Sequence, residues 1–254
     1  MSRFGKYVEA VEPAIPPMPL THMCDGYSLR GILTTERFTP SPCGVFSGEA
    51  LLYFFYGRPA YRPAKGGNAL GCCAFMPVCI VCKPHLVPRP KRIAPFDTGA
   101  FASGLFADYL HPKMTIDDFL LGSSPDMPGR VVALFFASNR GYFSGKPATI
   151  QVPPMEFEAS SYYSLISDSG MTRSDDRRST IEIQTDQSVS IAPDSVLLVV
   201  LPRVFLDDSA VRNKICKDWS AEVRTYATMQ CDPREYQGLV FAAVEEFLNM
   251  KDYI

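Results

Sequence analysis

The sequence has no hydrophobic run long enough to span a membrane, no excess of charge of either sign and no internal repeat, heptad tract or low-complexity segment. Its longest apolar stretches, LLYFF from Leu51 and VLLVVL from Val196, fall far short of the ~20 residues a spanning helix needs. The opening stretch MSRFGKYVEAVEPAIPP lacks the apolar centre of a secretory leader, so a cytoplasmic protein with no membrane partner is expected. Twenty-five Lys and Arg against 27 Asp and Glu leave a net charge of −2. The chain as a whole is therefore not drawn to nucleic acid or anionic lipid, and any basic binding surface has to be local. A Walker A loop, a Rossmann glycine fingerprint, HExxH and GxSxG are all missing. ATP hydrolysis, NAD-linked hydride transfer and zinc proteolysis thus lose their usual markers.

What is present is ordinary for a globular chain: 254 residues, 46% hydrophobic and 20% charged, with a core large enough to stand without staples. No linker interrupts it, so one domain is expected over residues 1–254. Twenty-two prolines predict many loops and short elements. Eight cysteines without an export signal read as reduced thiols. Cys72, Cys73, Cys79, Cys82 and His85 crowd together, and Cys79-Ile-Val-Cys82 has zinc-ligand spacing. The β-branched context PVCIVCK reads as a strand, however, and strand positions three apart point to opposite faces. Buried thiols are the expectation and no metal is assigned.

The pattern predicts an extended lead-in over residues 1–20, a helix over SLRGILTT (28–35) capped by Ser28, and strands over LLYFFY (51–56) and MPVCIVCK (76–83). Thr115-Ile-Asp-Asp118 is a capping box opening a helix, and RVVALFFASN (130–139) leans to helix. From residue 150 the pattern reads as strands: TIQV, FEASSYYSLI, STIEIQTD, SVLLVVLP and AEVRTYAT. Asp232-Pro233-Arg234-Glu235 then caps a last helix with the stripe Val240, Ala243, Val244 and Phe247. A helix-rich first half and a strand-rich second half without βαβ alternation predict the α+β class. Ser167 to Ser179 (SDSGMTRSDDRRS) is the candidate mobile loop and holds the local cations Arg173, Arg177 and Arg178.

Four stretches carry candidate chemistry, each beside a plainer alternative. In RSTIEIQTD a strand puts Thr180, Glu182 and Gln184 on one face; that face is either simply solvated or presents Glu182 as a carboxylate at a cleft edge. His22, ahead of the 28–35 helix, is either a satisfied core histidine or a group that hydrogen-bonds a ribose hydroxyl. In LLYFFYGRPAYRP, Arg58 and Arg62 sit among Tyr56 and Tyr61 after a strand-ending glycine. They are either turn residues in solvent or phosphate-binding forks beside aromatic faces. In PFDTGAFASG, Asp97 or Thr98 caps a small-residue helix whose start is a secondary candidate for anion contact.

Taken in order, His22 before Ser28-Leu29-Arg30-Gly31-Ile32-Leu33, then Tyr56-Gly57-Arg58-Pro59-Ala60-Tyr61, then Glu182 on a late strand, the sequence resembles the ADP-ribosyltransferase superfamily. Within it the likeness is nearest to the DarT-type toxins that modify DNA. In that family an early histidine precedes an "NL..IL..G" helix, an arginine of an R-S-P-M-like stretch contacts NAD, and a late-strand glutamate is catalytic. The R-S-P-M element itself is not reproduced. The resemblance implies a split β core around an NAD cleft, with Glu182 catalytic and His22, Arg58, Arg62, Tyr56 and Tyr61 holding NAD. It further implies an acceptor bound by Arg173, Arg177, Arg178 and Gln184, and transfer of ADP-ribose by a toxin or anti-phage effector with a neutralising antitoxin. Thr180 stands two before Glu182, where protein-modifying members carry Glu or Gln, which weakens a protein-arginine acceptor and leaves nucleic acid or another acceptor open; nucleic acid is favoured over protein. An NAD glycohydrolase, a non-catalytic nucleotide- or nucleic-acid-binding module and a structural interaction protein remain the alternatives.

Overall fold

The computed structural model describes residues 1–60, 72–168, 177–228 and 233–254. The expected extended lead-in instead begins with helix α1 (Arg3–Glu9). Ser2 caps it by accepting the Gly5 N–H at 2.9 Å, and Phe4 and Val8, one turn apart, bury its inner face. Residues 10–19, between this helix and the first strand, have neither helix nor strand. Strand β1 (Leu20–Asp25) runs straight into α2 (Gly26–Thr35), and the cap is Asp25 rather than Ser28. The Asp25 carboxylate accepts the Ser28 N–H at 2.7 Å while Leu29 and Ile32 turn to the core.

Strands β2 (Arg37–Phe38), β3 (Ser41–Pro42), β4 (Ala50–Tyr56), β5 (Pro77–Cys82) and β6 (Arg92–Ala94) follow. A helical middle comprises α3 (Thr98–Ala102), α4 (Ile116–Phe119), α5 (Met127–Phe136), α6 (Asn139–Phe143) and α7 (Phe157–Ser167). The chain then lays down β7 (Glu182–Thr185), β8 (Val189–Ser190) and β9 (Val196–Pro202), the short α8 (Ser209–Asn213), β10 (Glu222–Tyr226) and α9 (Gln237–Met250). Among the described residues no helix is long and apolar enough to cross a membrane.

Two later segments also differ from expectation. FEASSYYSLI is helix α7, not a strand: Ala159, Tyr162, Leu165 and Ile166 are its buried positions, a spacing of three and four that outweighs the strand preference of its tyrosines and isoleucine. TIQV (149–152) has no regular structure. The expected Asp232 cap lies outside the described residues, and a 3-10 turn (Pro233–Tyr236) precedes α9. The Thr115 capping box is present, with Asp118 Oδ2 accepting the Thr115 N–H at 2.8 Å.

The main sheet runs β10-β9-β5-β1-β4-β7-β6, with β3 added on β4; β2 and β8 form a separate ribbon. Among the described strands only β9 and β10 pair in parallel. β1 pairs with β5 over its whole length, Leu20 to Asp25. With β4 it shares only Leu20↔Tyr56 and Thr21↔Phe55. Past Thr21 the two strands part, so the sheet splits between β1 and β4, as the resemblance implies.

α9 covers β5 and β9 with Val240, Val244, Phe247 and Leu248, which is why β5 is buried at every position. Phe4, Phe135 and Tyr162 pack ring to ring at 4.9–5.9 Å and join α1, α5 and α7, and Phe96 and Phe119 extend the cluster. Each such ring contributes about 1.5–3 kcal/mol of burial. At the end of β4, Gly57 has φ +69, and a Cβ there would stand 2.4 Å from Met18 Cε. Only glycine makes that turn without strain.

Candidate active site

A cleft of about 790 Å³ opens where β1 and β4 part. His22 to Asp25 line it from β1, Leu51 to Tyr53 and Phe55 from β4, and Glu182 from β7. α2 contributes Ser28, Gly31 and Thr35, and the start of α3 contributes Asp97, Thr98 and Gly99. Arg177 and Arg37 bring positive charge to the same space.

Register explains the wall. Phe55, Glu182 and Ala94 stand directly opposite one another across β4, β7 and β6, and Tyr53, Gln184 and Arg92 form the next row. Opposed residues share a face, so Glu182 and Gln184 lie on the cleft side while Ile181 and Ile183 go to the core. That polar face is not solvated. Glu182 is 2% exposed and Gln184 wholly buried.

Buried carboxylates need donors, and Glu182 has three. Thr98 gives its hydroxyl to Oε1 at 2.7 Å and its backbone N–H to Oε2 at 3.2 Å. Gln184 Nε2 donates to Oε1 at 2.6 Å. Thr98 is delivered there because Asp97 caps α3, accepting the Ala100 N–H at 2.6 Å, and is itself tied by its N–H to Arg177 O. The anion at the start of α3 is thus the protein's own Glu182. Burial, followed by the neighbouring Asp97 charge, outweighs these bonds and pushes the Glu182 carboxyl up to about 7.

His22 sits immediately past the split. Its Nδ1 lies 2.9 Å from Tyr53 O, so Nδ1 carries the proton and Nε2 is an acceptor. Phe38 and Phe54 hold the ring at 4.9 and 5.5 Å, and burial lowers its pKa and keeps it neutral. Both His22 and Glu182 therefore belong to one cleft.

The other expected site residues are placed differently. Tyr56 cannot stack on a ligand here: alternation turns it away from Tyr53, its hydroxyl accepts the Met18 N–H at 3.0 Å, and it is 3% exposed. Arg58 does not line the cleft. Its guanidinium is buried, donating to Tyr142 O at 3.0 Å and Ser179 Oγ at 2.9 Å. Arg178 donates to Leu165 O and Asp168 O, satisfying carbonyls at the end of α7 rather than meeting an acceptor. Gln184 is a clamp on Glu182 and not an exposed acceptor contact. Tyr61, Arg62 and Arg173 lie outside the described residues, as does most of the expected mobile loop 167–179. Arg177 alone of the loop arginines reaches the cleft wall among the described residues.

Tyr53, Arg92 and Glu49 were not foreseen. Tyr53, with Phe55, is an aromatic side chain of β4 that lines the cleft, and its hydroxyl meets Cys43 Sγ at 2.8 Å. Burial first, then that contact, raises its pKa. Strand alternation in LLYFFY separates Tyr53 from Tyr56, but the sequence alone does not say which face opens. Cys79 and Cys82 are buried thiols within β5, and among the described residues no three His, Cys, Asp or Glu gather as metal ligands.

No protein-family model and no curated protein matches the chain. Among solved structures, the chain is similar to Thermus sp. 2.9 DarT in complex with NAD+, at a TM-score of 0.44 and 10% identity over 84% of this chain and 97% of that one. It is also similar to Thermus sp. 2.9 DarT in complex with ADP-ribosylated ssDNA, at a TM-score of 0.41 and 8% identity over 85% and 98% of the two chains.

Proposed function

We propose that the chain is a single-domain, cytoplasmic ADP-ribosyltransferase that consumes NAD and transfers ADP-ribose to a macromolecular acceptor, nucleic acid in preference to protein. The observation that carries this is one carboxylate, Glu182, fixed by Thr98 and Gln184 in the wall of a cleft that also holds a neutral His22. The cleft volume of about 790 Å³ lies within the roughly 300–1,000 Å³ of small-molecule sites.

In this reaction the bond between nicotinamide and ribose breaks and its electron pair leaves with the nicotinamide. The ribose carbon left behind has oxocarbenium character. Ionised Glu182 stabilises that charge and orients the ribose 2-hydroxyl, and its fixed position makes the stabilisation preorganised. A carboxyl that titrates near neutrality is also suited to take the acceptor's proton as the new bond forms. His22 Nε2 accepts from a ribose hydroxyl on the adenosine side. Tyr53 takes the stacking role once expected of Tyr56, and Arg177 the pyrophosphate role once expected of Arg58.

The sequence resemblance supports the same chemistry and extends it to a toxin or anti-phage effector held in check by an antitoxin. Thr180, two residues before Glu182, supports a nucleic-acid acceptor. The test is incubation with NAD labelled on the adenylate, alone and with single-stranded DNA, duplex DNA, RNA or lysate protein. Label on nucleic acid that disappears in Glu182→Gln is the expected result. Free nicotinamide without label transfer would make the protein a glycohydrolase, and no NAD loss under any condition would remove the enzymatic proposal.

A further inference from the structure

We propose that Arg92, charge-balanced by Glu49, is a positioning residue for Glu182 and acts through the side-chain amide of Gln184. The inference rests on Glu182 being the catalytic carboxylate. A side-chain amide has a donor end and an acceptor end, and its sense decides whether it supports or repels a neighbouring carboxylate. Gln184 turns Nε2 toward Glu182 Oε1, at 2.6 Å, and toward Thr98 Oγ1, at 3.2 Å. Its Oε1 accepts from Arg92 Nη1 at 3.2 Å. The reverse sense would set a carbonyl oxygen against the Glu182 carboxylate and an NH2 against a guanidinium. Arg92 therefore locks the amide in its donating sense.

Arg92 is itself held in place. Glu49 takes it in a two-pronged pair, with Nη1 to Oε2 at 2.9 Å and Nη2 to Oε1. The Phe46 ring lies 4.1 Å from its guanidinium carbon. Lys91 braces Glu49 Oε2 at 2.9 Å and Asp186 at 3.0 Å. The hydrogen bonds from Arg92 and then Lys91 hold the Glu49 carboxyl far below the usual carboxylate range, so Glu49 is an anion throughout the working pH. The row Tyr53, Gln184, Arg92 is the sheet register itself, so the relay is built into the strands rather than into a loop.

Other charged and titratable groups bear on Glu182 from each neighbouring element. Asp97, before α3, opposes its ionisation, and Tyr53 of β4 senses its charge. His22 and Asp25 of β1, Arg37 of β2 and Arg177, whose carbonyl accepts the Asp97 N–H, also line the cleft. Among the described residues, the Arg92–Glu49 pair reaches Glu182 through the directional amide of Gln184. Removing Arg92 takes away a cation and frees the amide to flip, and both changes favour protonated Glu182. Removing the Glu49 charge leaves Arg92 uncompensated and favours the anion. The two variants thus move Glu182 in opposite directions, which a merely structural role does not do.

The experiment is a 13C NMR titration of the Glu182 carboxyl in glutamate-labelled protein, assigned by the signal lost in Glu182→Gln. It is run for wild type, Arg92→Ala, Arg92→Lys and Glu49→Gln, beside the pH profile of NAD cleavage. Arg92→Ala is expected to raise the midpoint by about one unit and Glu49→Gln to lower it by a similar amount. Arg92→Lys keeps the charge but loses the fork that spans Glu49 and Gln184, so it is expected to raise the midpoint, by less than Arg92→Ala does. The acidic limb of kcat/KM follows the same shifts while KM changes little. Midpoints that stay at the wild-type value, or that move the same way in Arg92→Ala and Glu49→Gln, overturn the inference. If Arg92→Ala does not fold, Glu49→Gln and Arg92→Lys decide by the same criterion. The titration needs no turnover, so a protein that fails to cleave NAD refutes the proposed function while the relay is still judged on its own.

Discussion

Thr98 gives Glu182 both of its donors, the hydroxyl at 2.7 Å and the backbone N–H at 3.2 Å. One residue therefore fixes both carboxylate oxygens, and only one of the two bonds can be removed by substitution. Thr98→Val is expected to lower kcat for NAD cleavage about tenfold at neutral pH, since losing a donor to a buried charged group costs roughly 1.5–3 kcal/mol. KM is expected to change little, and Thr98→Ser to restore the rate. Steady-state kinetics on the three proteins checks this.

The pH dependence has a definite sign. Burial and Asp97 bring the Glu182 carboxyl from an ordinary 4.5 to about 7, so the folded protein holds this proton more tightly than the unfolded chain. The stability this contributes is complete below about 4.5 and is lost as pH rises through about 7, by up to roughly 3 kcal/mol. Activity is expected to run the other way, rising through about 7 as the carboxylate forms. Urea unfolding between pH 5 and 8 is expected to show the decline in wild type, and a flatter profile in Glu182→Gln.

Arg58 and Arg177 are expected to separate stability from binding. Arg58 is buried on Tyr142 O and Ser179 Oγ, so Arg58→Ala is expected to cost roughly 2–4 kcal/mol of stability. The protein that folds at low temperature is expected to keep its KM for NAD within about twofold, because this side chain lies off the cleft. Arg177→Ala is expected to raise KM about tenfold by removing a charged contact to phosphate. Thermal melts and KM measured on both variants test the pair.

Gly57→Ala places a methyl 2.4 Å from Met18 Cε at a residue with φ +69. It is expected to destabilise the protein by about 1–3 kcal/mol, through backbone strain and overpacking together. Chemical denaturation reads this directly.

The elements legible in the sequence were those whose cause is local. LLYFFY, PVCIVC and VLLVVLP are apolar runs bounded by turn residues, and each is a strand. The Thr115 box and the α9 stripe are written within one or two turns. FEASSYYSLI was misjudged because residue preference and spacing disagree there, and packing of Tyr162 against Phe4 and Phe135 decides for spacing. His22 and Glu182 share a cleft as the order of motifs implied. Arg58 and Tyr56 do not join them, because a sequence does not say which way the end of β4 turns. The pairing of Gln184 with Arg92, 92 residues apart, is a matter of register between β6 and β7 and has no local trace.

Between β1 and β4 the strands are paired in register only at Leu20↔Tyr56 and Thr21↔Phe55. That makes the cleft a seam as well as a container, and a molecule lodged in it is a splint across a join of only two register pairs. Occupancy should therefore slow amide exchange at the join itself, around Thr21 and Phe55, more than in the fully paired β5. A protein built this way is expected to stiffen where it is thinnest when the cleft is filled.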